Sequence, residues 1–304
     1  MLTKIKQWLA AGSAKQRSGI FIGRERISVL HQDTEQASWQ GQEYPMQAGQ
    51  WQQSLAKVFA DCTKGSTLHL VLSPERYQLV QLDKPQVANE ELAQALPWQV
   101  KDLVNIAVDD MVLDYIELPA ALQQVTKLSV VVSSKSWLSE LVALAEQAQL
   151  HIASIQPEEW LIHPITAHTG HSCLVVCHQP GEDVMLQVMR EGQLQFSRRL
   201  RGFNLLHTLS LEQLQQGLFD SLILEMQRSM DYVEAQLKLA PVRDIMLLCQ
   251  QQTVQQLQQL LQQSGFSRVQ ALQLHANLAG AEQLELARYW QAIAAQATSR
   301  EQRA

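Results

Sequence analysis

The chain has 304 residues, 46% of them apolar and 18% charged, which fits about two globular domains and excludes a disordered chain, a collagen or a coiled-coil rod. Lys and Arg number 24 against 30 Asp and Glu, a net charge of −6; binding to phosphate backbones needs a basic face, so nucleic acid is not an expected partner. Cys62, Cys173, Cys177 and Cys249 are sparse and set in apolar runs, the pattern of reduced, buried thiols rather than a disulfide framework.

Residues 1–17 stand apart. Leu2, Ile5, Trp8 and Leu9 recur at helical spacing, with positive charge from Lys4, Lys6, Lys15 and Arg17. The segment reads as a short basic amphipathic helix that can lie on an anionic membrane surface with Trp8 at headgroup level. A helix packed on the neighbouring domain, or a frayed terminus, is the competing reading. There is no apolar signal-peptide core, and apolar runs such as 128–132 and 245–249 fall far short of the ~18–20 residues that span a bilayer. A soluble cytoplasmic protein is therefore expected.

A β pattern follows: strands over 19–23 and 27–30 around the turn Arg24-Glu25, a third near Trp39, a helix over 51–59 and a strand over 68–72. Segment 73–134 holds strands 77–82, 111–118 and 127–132 and a helix over 89–100, whose Leu92, Leu96 and Val100 share a face. This is a small α+β piece inserted into the first lobe. A helix over 137–149 and a strand over 152–155 return to that lobe. The same order then recurs: strands 173–176, 184–189 and 194–200 with turns at 179–182 and 191–192, an amphipathic helix over 220–237, and a strand over 245–248 that answers to 68–72. The Gln-rich stretch 250–263 keeps Leu257, Leu260 and Leu261 at helical spacing, so it is a solvated helix and not a low-complexity tract. The repetition predicts two α/β lobes in tandem: 18–165 with the insert 73–134, then 166–295, then a frayed polar tail over 296–304.

Four stretches carry a resemblance to a known family. Gly19-Ile-Phe-Ile-Gly23 resembles a Gly-Ile-Asp-Ile-Gly-type opening, and Leu113-Asp114-Tyr115 resembles a strand that follows a helix ending like Leu96-Pro97-Trp98. Leu224-Glu-Met-Gln-Arg-Ser-Met-Asp-Tyr232 resembles a Glu-Ile-Gln-Arg-Ser-Leu-type helix, and Leu286-Ala-Arg-Tyr-Trp-Gln-Ala-Ile293 a C-terminal helix. In this order, over nearly the whole chain, the sequence is similar to the PilM family of type IV pilus assembly proteins, nearest to its counterpart in the mannose-sensitive haemagglutinin (MSHA) pilus system. The resemblance implies an α/β, actin-like (ribonuclease H-like) two-lobed fold with a small α+β insert in the first lobe.

In that fold, glycine-bearing hairpins in each lobe offer backbone N–H groups to phosphates, acidic residues hold Mg²⁺, and a Gly-Gly turn admits adenosine. The sequence departs at all three places. Phe21 stands at the Asp position and Arg24 and Glu25 in the small turn, although Gly23 remains. In the second hairpin His178 follows the strand and no carboxylate precedes Gly181; at the third place Cys249-Gln250-Gln251 replaces the glycines. The resulting expectation is no cofactor and no hydrolysis, with Arg24 as a stand-in for metal charge the one route to weak ATP binding.

His163, His168, His171 and His178 lie near Cys173 and Cys177, but the spacings match no zinc pattern, and Cys173 and Cys177 would sit about 13 Å apart along a strand. No metal is expected. Asp109, Asp110 and Asp114 read as a solvated loop and strand start, and Arg198, Arg199 and Arg201 as a solvated edge or a contact for an acidic partner or phosphate. No nucleophile elbow, P-loop or zinc-protease helix occurs.

The resemblance implies a non-catalytic scaffold, peripheral at the cytoplasmic face of the inner membrane. It would bind the cytoplasmic peptide of a PilN-like single-span protein in a groove between the first lobe and its insert. Pro97, Trp98 and Leu103 are the candidate apolar wall, Trp98 being either an anchor or core. Other pilus scaffold proteins, and through them the pilus motor ATPases, are the further partners. The competing readings are an ATP-binding actin-like ATPase whose lobes cycle, and a type II secretion cytoplasmic module of the GspL kind.

Overall fold

A computed structural model describes residues 16–33, 38–47, 49–119, 125–166, 170–274 and 284–301. These fall into two compact units, one holding the chain up to Leu118 together with Val125–Leu161 and the chain from Gln291 on, the other holding Ile162–Trp290.

In the first unit β1 (Gln16–Ile22), β2 (Arg26–Asp33) and β3 (Ser38–Pro45) form an antiparallel meander, α1 (Trp51–Asp61) crosses over, and β4 (Thr67–Leu72) pairs parallel to β1. An insert follows: β5 (Gln78–Asp83), α2 (Asn89–Val100), β6 (Met111–Leu118) and β7 (Lys127–Ser134), its sheet ordered β5-β7-β6. Then α3 (Lys135–Gln147) leads to β8 (His151–Pro157), parallel to β4, completing the order β3-β2-β1-β4-β8.

Strand alternation sorts β1. Ile20 and Ile22 join Ile27, Val29, Leu68, Leu70 and Leu72 in a core with Leu55, Val58 and Phe59 of α1 and Leu141 and Ala145 of α3. Gly19 and Phe21 look the other way. There lies the C-terminal helix, α6 (Leu286–Glu301), numbered after the second unit's α4 and α5. A Cβ on Gly19 would sit 2.1 Å from the carbonyl oxygen of Ala292, so the helix backbone rests directly on the strand. Gln296 donates its side-chain amide to Leu30 O at 3.1 Å and Gln291 donates to Glu158 at 3.2 Å. Residue 296, expected to open a polar tail, thus belongs to a helix that runs on to Glu301, and its carboxamide is buried. Residues 291–295, expected in the second lobe, lie in the first unit. Hydrogen bonding, not solvation, is what makes a buried Gln tolerable here.

The insert packs Leu92, Leu96 and Val100 of α2 against Leu128, Val130 and Val132 of β7. Asp110, at the solvated strand start where it was expected, also accepts hydrogen bonds from Ser134 Oγ at 2.7 Å and from Ser136 N–H at 2.8 Å, fastening the insert to the start of α3. These bonds hold its carboxyl below the usual carboxylate range.

The second unit repeats the plan. β9 (Ser172–Cys177), β10 (Val184–Arg190) and β11 (Gln193–Leu200) form the meander, α4 (Phe219–Ala235) crosses over, and β12 (Val242–Leu248) runs parallel to β9. Then α5 (Gln251–Gln263) leads to β13 (Val269–Ala271), giving the order β11-β10-β9-β12-β13. Leu222, Met226 and Val233 of α4 and Leu257, Leu260 and Leu261 of α5 close the core over Leu174, Val176, Leu186 and Ile245.

Gly19→Ala is expected to destabilise the fold by about 2–3 kcal/mol or more in urea unfolding, as overpacking of a tight contact does. Because the clash is with a backbone oxygen, Ala292→Gly will not rescue it. The four thiols are all buried and should resist Ellman's reagent at neutral pH until the chain is unfolded. Burial pushes Cys62 from 9.0 up to about 11 and Cys249 up to about 12. The unfolded chain therefore loses these protons first as pH rises, so the urea midpoint should fall above pH 9.0, less steeply in Cys249→Ala.

Candidate functional site

In open α/β sheets ligands gather at the carboxyl ends of the parallel strands. In the first unit these are the ends of β1, β4 and β8. The β1–β2 turn closes with Gly23 N–H donating to Arg26 O at 3.0 Å, and Ser73 N–H after β4 donates to Ile22 O at 3.1 Å. Arg24, the expected substitute for metal charge, pairs instead with Glu75 at 2.8 Å, both side chains roughly half exposed. Phe21 is fully buried on the Gly19 face, where an unpaired carboxylate would carry a heavy desolvation cost. At the end of β8 lie two carboxylates that sequence reading passed over: Glu158 and Glu159 are 3% and 5% exposed. Glu158 accepts from Gln291, and Glu159 accepts from the Tyr77 hydroxyl. Their signal was a polar pair directly after a strand ending in Pro157.

In the second unit the ends are those of β9 and β12. The β9–β10 turn is packed inward. His178 N–H donates to Leu248 O at 2.9 Å, Gly181 N–H to Asn204 O at 3.3 Å and Glu182 N–H to Gln179 O at 3.0 Å. The His178 ring stacks on His207 at 5.5 Å and sits 3.2 Å from Asn204 O. Gly181, at φ 84°, supplies the left-handed step of this turn. Gln179 donates to Arg288 O at 3.0 Å, and Gln250, after β12, donates to Glu285 at 2.8 Å, while Arg288 also pairs with Glu285. One polar web thus holds the turn, the β12 end and the first turns of α6.

Phosphate cradles need N–H groups aimed outward, and the named amides of both turns are spent on protein carbonyls. The carboxylates found at the strand ends, Glu158 and Glu159, are engaged by Gln291 and Tyr77. Among the described residues no three His, Cys, Asp or Glu side chains converge to hold a metal; His168 lies outside the described residues.

On the insert, Trp98 is 64% and Leu103 56% exposed, so Trp98 is not core. Lys101 Nζ stands 5.8 Å from the Trp98 ring centre. Pro97 sits inside α2 and lacks the N–H that would reach the carbonyl of Ala93, leaving a local acceptor one turn from Trp98. Leu2, Ile5, Trp8 and Leu9 of the expected membrane helix lie outside the described residues, and no helix among those described is long and apolar enough to cross a membrane.

No family model matches the chain, and no curated protein matches its sequence. Solved structures do match. A PilM–PilN type IV pilus biogenesis complex aligns with a TM-score of 0.69 and 15% identity over 93% of this chain and 98% of that one. A Bacteroides thetaiotaomicron protein of unknown function with an actin-like ATPase fold aligns at 0.51 and 10% identity over 86% and 91% of the two chains. The cytoplasmic domain of EpsL, an inner-membrane component of the Vibrio cholerae type II secretion system, aligns at 0.49 and 13% identity over 83% and 96%. With its twin sheets of matching strand order, the chain has the actin-like ATPase fold.

Proposed function

We propose that the chain is a catalytically silent scaffold of a type IV pilus assembly machine, a PilM-like protein of the MSHA (MshI) branch, peripheral at the cytoplasmic face of the inner membrane. The observation that carries the silent reading is the inward use of backbone amides at the β1–β2 and β9–β10 turns, together with Phe21 and Gln250 at positions where the fold's nucleotide enzymes keep a carboxylate and glycine. The likeness to the PilM–PilN complex supports a pilus role. A fold kept without its phosphate site works through its surfaces.

The partner in this reading is the cytoplasmic peptide of a PilN-like inner-membrane protein, and the insert offers it an anchor. Trp98 and Leu103 are large, apolar and exposed, and Trp is among the residues enriched in interface hot spots. Other pilus scaffold proteins and an indirect link to the motor ATPases complete the set of partners. The basic segment 1–17 would add weak attraction to anionic lipid.

Calorimetric titration with ATP and Mg²⁺ is expected to give no saturable heat at millimolar nucleotide; micromolar affinity would overturn the silent reading. A peptide carrying the cytoplasmic segment of the PilN-like protein encoded nearby should bind the wild-type chain. Trp98→Ala with Leu103→Ala should weaken that binding by at least ~10-fold, the scale of one interface hot spot. Unchanged affinity in the double variant would remove the insert surface from the model.

A further inference from the structure

Two adjacent residues of α2 break the ordinary rules of a helix. Pro97 stands inside it, short of the end at Val100, where proline removes a backbone hydrogen bond and crowds the carbonyl four residues back. Trp98 follows, and at 64% it is the most exposed large apolar side chain among the described residues. Neither residue joins the apolar core of the insert, which takes Leu92, Leu96 and Val100 from this helix. Departures from local preference that add nothing to a core concentrate where a chain works.

The two departures meet on one side of the helix. At about 100° per residue, Trp98 lies about 200° from Leu96 and Pro97 about 100°, so Pro97 is on the flank between the buried stripe and the exposed ring. Ala93, one turn earlier, shares that flank, and both residues are half-buried. In an unbroken helix the carbonyl of Ala93 would accept the N–H of residue 97. Proline has none to give, so this oxygen keeps its capacity to accept on a flank next to Trp98.

A backbone acceptor beside an apolar anchor selects the form of its partner. Past its first turn a helix spends its amides on its own carbonyls and has none to offer. An extended segment carries an unspent amide on nearly every residue, with side chains alternating to opposite sides. It can lay an apolar side chain on Trp98 and turn a neighbouring N–H to Ala93. We propose that Pro97 is a binding determinant of the insert surface: by withholding its own N–H it keeps the Ala93 carbonyl open, and an extended partner segment donates a backbone N–H to that oxygen while its apolar side chain covers Trp98. The proposal rests on the peptide-anchor reading and adds to it the directional bond that Trp98 and Leu103 do not supply.

The test uses the full chain and a fluorescein-labelled peptide carrying the cytoplasmic segment of the PilN-like protein encoded nearby, followed by anisotropy. Pro97→Ala, which restores the helix bond, should lower the affinity about fivefold, the scale of one hydrogen bond, without lowering the thermal midpoint. A series of peptides, each N-methylated at one backbone amide, forms the partner-side arm. One of them should lose about fivefold on the parent chain and nothing further on Pro97→Ala, the non-additivity expected of two changes that remove the same bond. Trp98→Ala should weaken the unmodified peptide on the parent and on Pro97→Ala alike. If Trp98→Ala weakens binding and Pro97→Ala does not, or if every N-methyl effect adds to that of Pro97→Ala, the proposal falls and the peptide anchor stands. A thermal midpoint lowered by Pro97→Ala would mark the proline as structural and overturn the proposal as well. If the peptide fails to bind, or Trp98→Ala and Leu103→Ala leave its affinity unchanged, the anchor reading itself falls and takes the proposal with it.

Discussion

The contact on which the first unit turns is that of a helix backbone against a strand backbone. β1 is covered on one face by α1 and α3 and on the other by α6, and at Gly19 the approach leaves no room for a side chain. This contact sets the chemistry two residues on. Phe21 shares the Gly19 face, and a position sealed from water by a closely seated helix favours an aromatic ring over a carboxylate, because an ionised group there would need a partner to offset its lost hydration. The aromatic residue at position 21 is thus coupled to the way α6 packs on β1.

In the second unit the comparable position, after β9, is closed by hydrogen bonds. A turn can bind an anion only while its N–H groups point at solvent. In the β9–β10 turn, His178, Gly181 and Glu182 give theirs to Leu248, Asn204 and Gln179, and the side chains of Gln179 and Gln250 are drawn into the web around Glu285 and Arg288. Filling a turn in this way stabilises it and commits those three amides to protein carbonyls. The apolar sets that define the two sheets take no part in these polar contacts, so the fold stands independently of them.

Much of the fold was legible locally. Helix Asn89–Val100 and strand Met111–Leu118 appear where periodicity put them, since three or four apolar side chains at regular spacing leave little choice of conformation. The repeat of three hairpin-linked strands, then helices and a further strand, was visible from the apolar runs and the turns between them. What escaped were side chains whose environment is set by distant partners. Nothing near Gln296 announces Leu30, nothing near Glu159 announces Tyr77, and nothing near Asp110, which is solvated at the strand start as read, announces its bonds to Ser134 and Ser136. Trp98 is a different case. Leu92, Leu96 and Val100 fix the buried face of α2, and a residue midway between two of them in sequence falls about 200° away at 3.6 residues per turn, so its exposure followed from the pattern that was already recognised.

How firmly the insert is held bears on what Trp98 can do. Ser133 Oγ donates to Arg76 O at 2.7 Å, the Tyr77 hydroxyl reaches Glu159, and Trp160 Nε1 donates to Ser129 at 3.4 Å. The Arg76 guanidinium lies 5.8 Å from the Trp51 ring centre and 5.1 Å from that of Trp137, rings that themselves meet at 5.1 Å. The Ser133–Arg76 bond closes the two ends of the insert on each other, and the other contacts, with Asp110 bound to the start of α3, tie it to the lobe. A surface fixed in this way loses little further freedom when a segment docks, and the ordering cost that erodes affinity falls mainly on the incoming peptide. A rigid platform, rather than a moving jaw, is the mechanical character this unit gives to a docking residue at the exposed face of α2.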